Sequence, residues 1–574
     1  MPVRNSDIAA VFGEIADLLA IEGANPFRIR AYRNAARAIE GSALEIAKAI
    51  EQGKELPHMP GIGTDLNGKI VEIVRTGTCE TLRKLRKEVP RGLTDLLALP
   101  GLGPKRVKAL YDELDVHSLS QLERAVKDGR VGQLAGFGVK IVERLSQAIA
   151  SRKVQPRRFK LSLAAEYAEP LLKFLRAIPG VERAEAAGSF RRARETVGDL
   201  DILVVAGHGE AVISRFTAYD EVSRTLAAGS TRASVVLRNG MQVDLRVVPR
   251  ESYGAALIYF TGSKNHNIAI RRIAQERSLK LSEYGLFRGE RMLAGESEPQ
   301  IYRALGLPFI PPELREDAGE IEAAAKGKLP VLVELADLQG DLHCHSKASD
   351  FQQTVREMAE GARAAGLKYI AISEHSRRLT VAYGLDARRL LRQLEEIDRV
   401  NADGQGATVL KGIEVDIIED GNLDLPDDVL ARLDLVVGAV HSAFGLSREK
   451  QTERILRAMD HPHFTILAHP LGRLIPDREP YDVDMVRVIR HARERGCYLE
   501  LNAHPDRLDL FDIYCREAKG QGVLVSVNSD AHRVADFTNL RHGIAQARRG
   551  WLTRQDILNA RPLSALRQLL RRTM

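Results

Sequence analysis

The sequence contains few cysteines and no long apolar segment. Only four Cys occur among 574 residues, and their spacing matches no disulfide pattern, which argues against a secreted, disulfide-built protein. No apolar stretch reaches the ~18 residues that a membrane-spanning helix needs. The first ten residues, MPVRNSDIAA, lack the apolar region of a signal peptide. We therefore expect a cytoplasmic protein without a membrane partner.

The excess of basic over acidic residues is small and unevenly placed. Lys and Arg number 84 against 77 Asp and Glu, a net charge of +7. Residues 1–340 hold 50 basic and 43 acidic residues, whereas residues 341–574 hold 34 of each and eleven of the 15 His. This distribution predicts a first part that binds a polyanion and a second part that binds metal ions.

A short glycine pattern occurs three times in residues 1–150, where apolar residues recur at helical spacing. Two glycines let backbone N–H groups approach a phosphate, and the helix that follows adds its positive end. One such turn is usually a plain helix corner, but three copies in a basic region favour DNA binding. The residues predicted to contact DNA are Gly61, Gly63, Gly101, Gly103, Lys105, Gly136 and Gly138.

The pattern changes from helices to strands near residue 185. The segments 201–206, 233–238 and 241–248 read as strands, with a hairpin turn at RNG (238–240). Charge and proline predict linkers at 151–160 and 307–330. After residue 340, short apolar strands alternate with helices, which is typical of a parallel sheet or barrel.

Three carboxylates are expected to converge on the first of these sheets. Asp199 and Asp201 are two residues apart on one strand and therefore share a face, and Asp244 lies on a neighbouring strand. Such a group repels itself unless cations lie within it, and two divalent ions suit phosphoryl transfer. The alternative, a solvated acidic strand edge, is disfavoured by the apolar residues that follow. Nearby Gly188, Ser189, Arg191 and Arg192 offer donors to a triphosphate.

A second set of candidate ligands follows the later strands. Six His and three acidic residues lie at strand ends, which converge on one face of a (βα) barrel. A single buried His is usually a core residue, but nine such residues favour two or three Zn²⁺ or Mn²⁺ ions, with acidic residues bridging. Such ions lower the pKa of bound water from ~15.7 toward ~7, which suits phosphoester hydrolysis. The set comprises His343, His345, Asp350, His375, Glu414, His441, His469, Asp530 and His532. We expect Glu500 and Asn502 to support it, and Cys344, His461 and His504 to lie outside it.

The motifs GSFRR, GDLD, VDLRV and YFTGSKNHN resemble the palm and thumb of family X DNA polymerases. The glycine repeats resemble the helix-hairpin-helix motif of DNA repair proteins. The resemblance implies that Asp199, Asp201 and Asp244 are catalytic and hold two Mg²⁺ or Mn²⁺ ions. It implies that Ser189 and Arg192 hold the triphosphate, that Tyr259 and Phe260 lie against the sugar, and that Arg271 approaches the template. The implied nucleotide-binding residues are Gly188, Ser189, Arg192, Gly198, Tyr259, Phe260, Gly262, Asn267 and Arg271.

The sequence departs from the family pattern at a few places outside the three aspartates. Lys264 replaces an acidic residue, Gln242 an Arg and Asp65 a Lys. Lys69 stands where the family has the Schiff-base lysine of deoxyribose-phosphate lyase activity. Because Asp65 lies one helical turn away, the amine is poorly suited to nucleophilic attack. Lys69 therefore remains either a catalytic lysine or a phosphate contact.

The histidine set resembles the polymerase and histidinol phosphatase (PHP) domain, with all nine ligand places filled. Phe351 departs from the usual Gly after the aspartate. The implied fold is multidomain α+β and α/β, with a helical helix-hairpin-helix region, a nucleotidyltransferase palm with a mixed sheet, a thumb, and a (βα)7-type barrel. The expected domains are an N-terminal helical domain (1–90), helix-hairpin-helix fingers (91–155), palm (156–255), thumb (256–315), linker (316–338) and PHP domain (339–574).

The combination resembles bacterial family X polymerases and implies gap filling in base excision repair. The implied partners are gapped or primer–template DNA and dNTPs, and the implied state is a monomer. The PHP domain would be a Mn²⁺-dependent 3′–5′ exonuclease, and cleavage at abasic sites or of blocked 3′ ends stays open. One alternative is a small-molecule phosphatase of the histidinol phosphatase type tethered to a DNA-binding module. Another is a non-catalytic DNA-binding scaffold.

Overall fold

The computed structural model describes most of the chain, and it divides into two compact units, residues 1–157 and 158–574. The described residues are 5–40, 46–52, 62–89, 92–97, 99, 102–154, 158–349, 353–378 and 383–571. Three predicted site residues, Gly61, Gly101 and Asp350, lie outside them, as does Phe351. Within the described ranges, no helix combines the length and apolar character needed to cross a membrane.

The first unit is helical, as the periodicity predicts. Its core includes Phe12, Ile70 and Leu110, all fully buried. Gly63 and Gly103 directly precede helices α4 and α7 as their N-caps, and Gly138 precedes α9. The helices are α1 (Asn5–Glu22), α2 (Pro26–Glu40), α3 (Ile46–Glu51), α4 (Thr64–Thr76), α5 (Glu80–Glu88), α6 (Gly92–Leu97), α7 (Pro104–Leu114), α8 (Leu119–Lys127) and α9 (Val139–Val154).

The second unit begins with a five-stranded mixed sheet of order β2-β4-β7-β6-β5 and a small β1-β3 sheet. Its elements are β1 (Phe159–Lys160), α10 (Leu161–Arg176), β2 (Val181–Ala186), α11 (Gly188–Arg191), β3 (Thr196–Val197), β4 (Asp199–Ala206), α12 (Gly209–Thr217), β5 (Val222–Ala228), β6 (Arg232–Leu237) and β7 (Gln242–Val248). Strands β6 and β7 are antiparallel neighbours, which confirms the predicted hairpin. The predicted linker at 151–160 contains the boundary between the two units, but its two ends are structured, because α9 continues to Val154 and β1 pairs with β3. Long charged side chains tolerate a helix, so charge alone is a poor linker signal.

A group of helices and a three-stranded sheet follow. These are α13 (Tyr253–Thr261), α14 (Lys264–Glu276), β8 (Lys280–Ser282), β9 (Gly285–Arg288), β10 (Arg291–Ala294), α15 (Glu298–Ala304) and α16 (Glu320–Ala325). The second predicted linker, 307–330, is wrong as an open connection. Its Leu307, Ile310 and Leu314 are buried in one core with α13, α14 and α15. Apolar residues spaced among prolines and charges anchor this segment.

The remaining residues form a barrel of seven parallel strands in sequential order. The strands are β11 (Gly340–Cys344), β12 (Tyr369–Ile372), β13 (Thr408–Asp416), β14 (Leu435–Ala439), β15 (Ile466–Leu467), β16 (Tyr498–Asn502) and β17 (Val525–Asn528). A parallel bridge between Cys344 and Ala531 brings the first strand to the end of the last, so the barrel is nearly closed. The helices are α17 (Val355–Ala364), α18 (Ala387–Asp403), α19 (Asp427–Leu430), α20 (Arg448–Met459), α21 (Met485–Arg495), α22 (Asp512–Gln521), α23 (Leu540–Arg549) and α24 (Leu563–Leu570). The predicted fold class is confirmed.

Candidate functional site

The structure brings the three predicted aspartates to one face of the mixed sheet. Strands β4 and β7 run parallel, with Asp201 opposite Asp244 in register. Asp199 shares the face of Asp201 because alternate strand residues point the same way. Burial, together with the charges of Asp199 and Asp244, raises the pKa of Asp201 to about 7. Burial and Asp244 also raise the pKa of Asp199. Carboxylates that destabilise one another in this way fit a site for divalent cations.

Neighbouring side chains and one glycine fix these carboxylates. The Ser234 hydroxyl donates to Asp244 Oδ1, and Gln242 Nε2 donates to Asp244 Oδ2 at 2.9 Å. Gly188, at the start of α11, has a φ of +59°, and a Cβ there would lie 2.2 Å from Asp201 Oδ2. Only glycine therefore fits this close approach to the carboxylate.

The two arginines after Gly188 have different partners. Arg191 makes a bidentate pair with Glu298, with Nη1 and Nη2 at 2.8 and 2.7 Å from the carboxylate oxygens. It is therefore occupied in a partly buried ion pair. Arg192 donates to the Thr261 carbonyl, and its Nε lies 3.1 Å from Glu316 Oε1.

The histidine set surrounds one buried carboxylate inside the barrel. Five His nitrogens lie within 4 Å of the Glu414 carboxylate: His375 Nδ1 at 2.6 Å, His469 Nε2 at 2.9 Å, His441 Nε2 at 3.3 Å, His343 Nε2 at 3.4 Å and His345 Nε2 at 3.8 Å. Asp530 Oδ1 lies 3.2 Å from His345 Nε2 and 3.7 Å from His532 Nδ1. The structure thus collects eight of the nine predicted ligands, the ninth being Asp350.

Three overlapping groups in this set have the ligand spacing of a metal site. In each, one ligand atom per residue lies within 4.8 Å of the others. The groups are His345, His375 and His532; His343, His345 and Asp530; and His375, Glu414 and His441. Burial raises the pKa of a carboxyl, but the charges of His375, His343 and His441 hold the pKa of Glu414 well below its usual range. The donor set therefore fits divalent metal ions.

Profiles of known domains match four parts of the chain. A helix-hairpin-helix domain matches residues 3–79, and a SAM-like helix-hairpin-helix tandem matches residues 93–151. The DNA polymerase beta thumb matches residues 256–316, and the PHP domain matches residues 341–504.

Whole-chain similarity decides the family. DNA polymerase/3′-5′ exonuclease PolX of Bacillus subtilis is 39% identical over 577 residues, which cover 99% of this chain and 100% of that protein. The chain belongs to the family X DNA polymerases that carry a PHP domain. DNA polymerase lambda of Arabidopsis thaliana is 26% identical over 349 residues, 55% of this chain and 62% of that protein. A probable phosphatase of Acetivibrio thermocellus is 32% identical over 201 residues, 33% of this chain and 78% of that protein.

Four of the predicted nucleotide-binding residues of this family X chain lie on α13 and α14: Tyr259, Phe260, Asn267 and Arg271. The rings of Tyr259 and Phe260 meet edge to face at 4.9 Å, and the Arg271 guanidinium lies 5.0 Å from the Tyr259 ring centre. Asn267 Nδ2 donates to the Tyr259 carbonyl at 2.7 Å. Gly262 follows α13 with a φ of +70°, beside Arg192 Nη1. Ser189 lies on α11 and Gly198 directly precedes β4.

In the helical unit, Lys69 lies on α4 and forms an ion pair with Asp65 at 2.5 Å. The predicted juxtaposition of the two side chains is therefore present. Lys105 is exposed near the start of α7. Gly136 has a φ of +85°, as the tight turn before α9 requires.

Three further residues of the barrel contact the histidine set without belonging to the predicted ligands. Glu500 Oε1 lies 2.7 Å from His343 Nδ1, and Glu500 Oε2 accepts a hydrogen bond from the main-chain N–H of His469 at 2.8 Å. Asn502 donates to the same carboxylate at 3.2 Å, so both expected supporting residues are in contact with the set. Asp416, missed by the sequence reasoning, lies 2.6 Å from His441 Nδ1.

Glu374 is a second missed residue. It is buried and accepts from Ser346, Ser349 and Gln393, which fixes the segment after His345. Its position directly before His375 was the available signal, as was the position of Asp416 two residues after Glu414. Cys344 packs in the apolar core, and His461 pairs with Asp427 at 3.1 Å. Among the described residues, Cys344, His461 and His504 belong to none of the three groups with the ligand spacing of a metal site.

Proposed function

We propose that this protein is a DNA-directed DNA polymerase that fills gaps in base excision repair and carries a 3′–5′ exonuclease in its PHP barrel. The observation that supports it most is the presence of two donor sets that share no residue. One is the three palm carboxylates, and the other is the histidine set around Glu414. One set suits phosphodiester formation and the other suits phosphodiester hydrolysis.

In the palm, Asp199, Asp201 and Asp244 would hold two Mg²⁺ or Mn²⁺ ions. Such ions, when bound, stabilise charge on the attacking and leaving oxygens. Arg192 and the backbone at Gly188 and Ser189 would bind the triphosphate. The edge-to-face pair Tyr259 and Phe260 would lie against the sugar and exclude a 2′-hydroxyl. Asn267, Gly262 and Gly198 would line the nucleotide, and Arg271 would approach the template.

In the barrel, the eight described ligands together with Asp350 would hold two or three Mn²⁺ or Zn²⁺ ions. These ions supply hydroxide near neutral pH. Glu500 and Asp416 would orient His343 and His441 by accepting hydrogen bonds from their Nδ1–H groups, so that Nε2 points into the site. Cleavage at abasic sites and removal of blocked 3′ ends also hydrolyse phosphoester bonds, and the same site would suit both reactions.

The glycine turns of the helical unit would bind phosphates of gapped or primer–template DNA without reading sequence. For Lys69 we favour a phosphate contact over a catalytic role, because the ion pair with Asp65 disfavours nucleophilic attack by the amine. The protein would use dNTPs and act as a cytoplasmic monomer.

Removal of divalent ions is expected to abolish both activities. On gapped DNA treated with a chelator, neither primer extension nor primer degradation should occur. Mg²⁺ or Mn²⁺ should restore extension, and Mn²⁺ should restore degradation, because both reactions require charge compensation on phosphate oxygens. Measurement is by gel separation of a labelled primer. Hydrolysis of a free phosphomonoester with no dNTP incorporation would instead support the phosphatase alternative.

Replacing Gly188 by Ala is expected to reduce nucleotide incorporation by roughly 10²-fold, the effect of moving a reacting group by about 1 Å. The new Cβ would push Asp201 Oδ2 from its position. The matched control is Gly180→Ala. Gly180 also has a positive φ (+85°), but a Cβ there meets nothing within 4 Å. Equal incorporation rates in the two variants would show that the close approach to Asp201 is unimportant.

A further inference from the structure

One arginine of the PHP barrel reaches the residue proposed to bind the triphosphate. Arg549 is the last residue of α23, and its side chain is 3% exposed. Its Nη1 donates to the main-chain carbonyl of Arg192 at 2.9 Å and to Glu316 Oε1 at 2.9 Å. Its Nη2 donates to Asp512 Oδ2 at 2.7 Å. The guanidinium is therefore fixed from three sides.

Glu316 accepts hydrogen bonds from two guanidinium groups, and Nη1 of a third, Arg194, lies 3.8 Å from its Oε1. The same Oε1 that accepts from Arg549 also accepts from Arg192 Nε at 3.1 Å. Burial raises the pKa of Glu316, but the charges of Arg192 and Arg549 outweigh it and keep the pKa below its usual value. Glu316 therefore remains ionised and competes with any other anion for Arg192.

We propose that Arg549 is a positioning residue for dNTP binding: it shares the charge of Glu316, so that Arg192 can exchange that carboxylate for the triphosphate. The inference rests on the proposed function, in which Arg192 binds the triphosphate. Without Arg549, Glu316 would pair more strongly with Arg192, and an incoming triphosphate would have to displace it. Because Arg549 lies on α23, the PHP barrel contributes to nucleotide binding at the palm through this shared charge.

The neighbouring Arg548 provides a matched control. Like Arg549, it lies on α23 and contacts residues that precede the barrel strands. Its Nε lies 2.7 Å from Glu313 Oε1, and its Nη1 lies 3.1 Å from the Val333 carbonyl. It does not appear among the contacts of Arg192 or Glu316 in the described residues. A purely mechanical role in joining the two regions would be common to both arginines, whereas an effect on nucleotide binding would be confined to Arg549.

The experiment measures single-nucleotide incorporation on gapped DNA against dNTP concentration for the full chain. Arg549→Ala is expected to raise the KM for dNTP by about fivefold to tenfold, with kcat changed by less than about twofold, because the lost interaction acts on binding. Arg549→Lys should fall between, since Lys keeps the charge but not the three-way contact. Arg548→Ala should retain the wild-type KM. Primer degradation should be the same in all variants.

A second substitution separates positioning from loss of structure. In the double variant Arg549→Ala, Glu316→Gln, the competing charge is gone, so KM should return to within about twofold of the wild-type value. A KM that stays high in the double variant overturns the inference, as does equal KM in Arg549→Ala and Arg548→Ala. A joint loss of kcat and primer degradation also overturns it, because it indicates a structural role only. Failure of the wild-type protein to incorporate dNTPs overturns the proposed function, and this inference with it.

Discussion

Replacing Asp201 by Asn is expected to abolish nucleotide incorporation and to leave primer degradation at the wild-type rate. Asn keeps the shape of the side chain but removes the charge that would hold a cation between β4 and β7. The stabilisation of several kcal/mol that such an ion gives to a phosphoryl-transfer transition state corresponds to roughly 10³-fold in rate. The measurement is primer extension and primer degradation on the same gapped DNA.

The same substitution is expected to stabilise the metal-free protein. Because the pKa of Asp201 is raised to about 7, its ionised form is less favourable in the folded protein than in the unfolded chain. The resulting destabilisation grows as pH rises from the unfolded pKa through about 7 and is complete at about pH 8. Asp201→Asn should therefore raise the thermal midpoint in a chelating buffer at that pH.

The control for both results is Asp220→Asn, at an exposed turn before β5. It should change neither the incorporation rate nor the thermal midpoint. If Asp201→Asn lowered incorporation and degradation equally, or if it lowered the thermal midpoint, the carboxylate cluster would not be a separate cation site.

The sequence predicted those parts of the fold in which local pattern and burial agree. Alternating apolar strands and helices after residue 340 predicted a parallel sheet or barrel, because parallel strands are buried on both faces and have continuous apolar runs. The resemblance to PHP domains implied the barrel of seven strands. Strands β2 and β5 were not predicted. Both are edge strands of their sheet, and every residue of β5 is partly or fully exposed, so no alternation of polar and apolar residues marks them.

The candidate sites were predictable where residue type and strand position suffice. Asp199, Asp201 and the histidines at strand ends carry their chemistry in their identity and spacing. The contacts of Glu316 were not predictable, because its partners Arg192 and Arg549 lie 124 and 233 residues away in sequence. Arg549 lies 357 residues from the Arg192 carbonyl that it contacts, and only the folded chain brings them together.

Replacing Glu414 by Gln is expected to reduce the rate of primer degradation by roughly 10³-fold or more, because a neutral amide cannot hold cations among the surrounding histidines. Five His nitrogens lie within 4 Å of this carboxylate, which therefore lies at the centre of the ligand set. Nucleotide incorporation should keep the wild-type KM for dNTP. That result would also indicate that the barrel still folds and packs against the palm.

Glu419→Gln is the control, since Glu419 is exposed five residues further along and should leave degradation unchanged. If the barrel of Glu414→Gln failed to fold, His532→Ala provides a milder test. The His532 side chain is 30% exposed at the edge of the ligand set, and its loss leaves the Glu414 contacts in place. His532→Ala should slow degradation strongly, because it removes one ligand of the group His345, His375 and His532. Incorporation should not change, because His532 is not part of the palm. Wild-type degradation in His532→Ala, with incorporation intact, would place the exonuclease outside the histidine set.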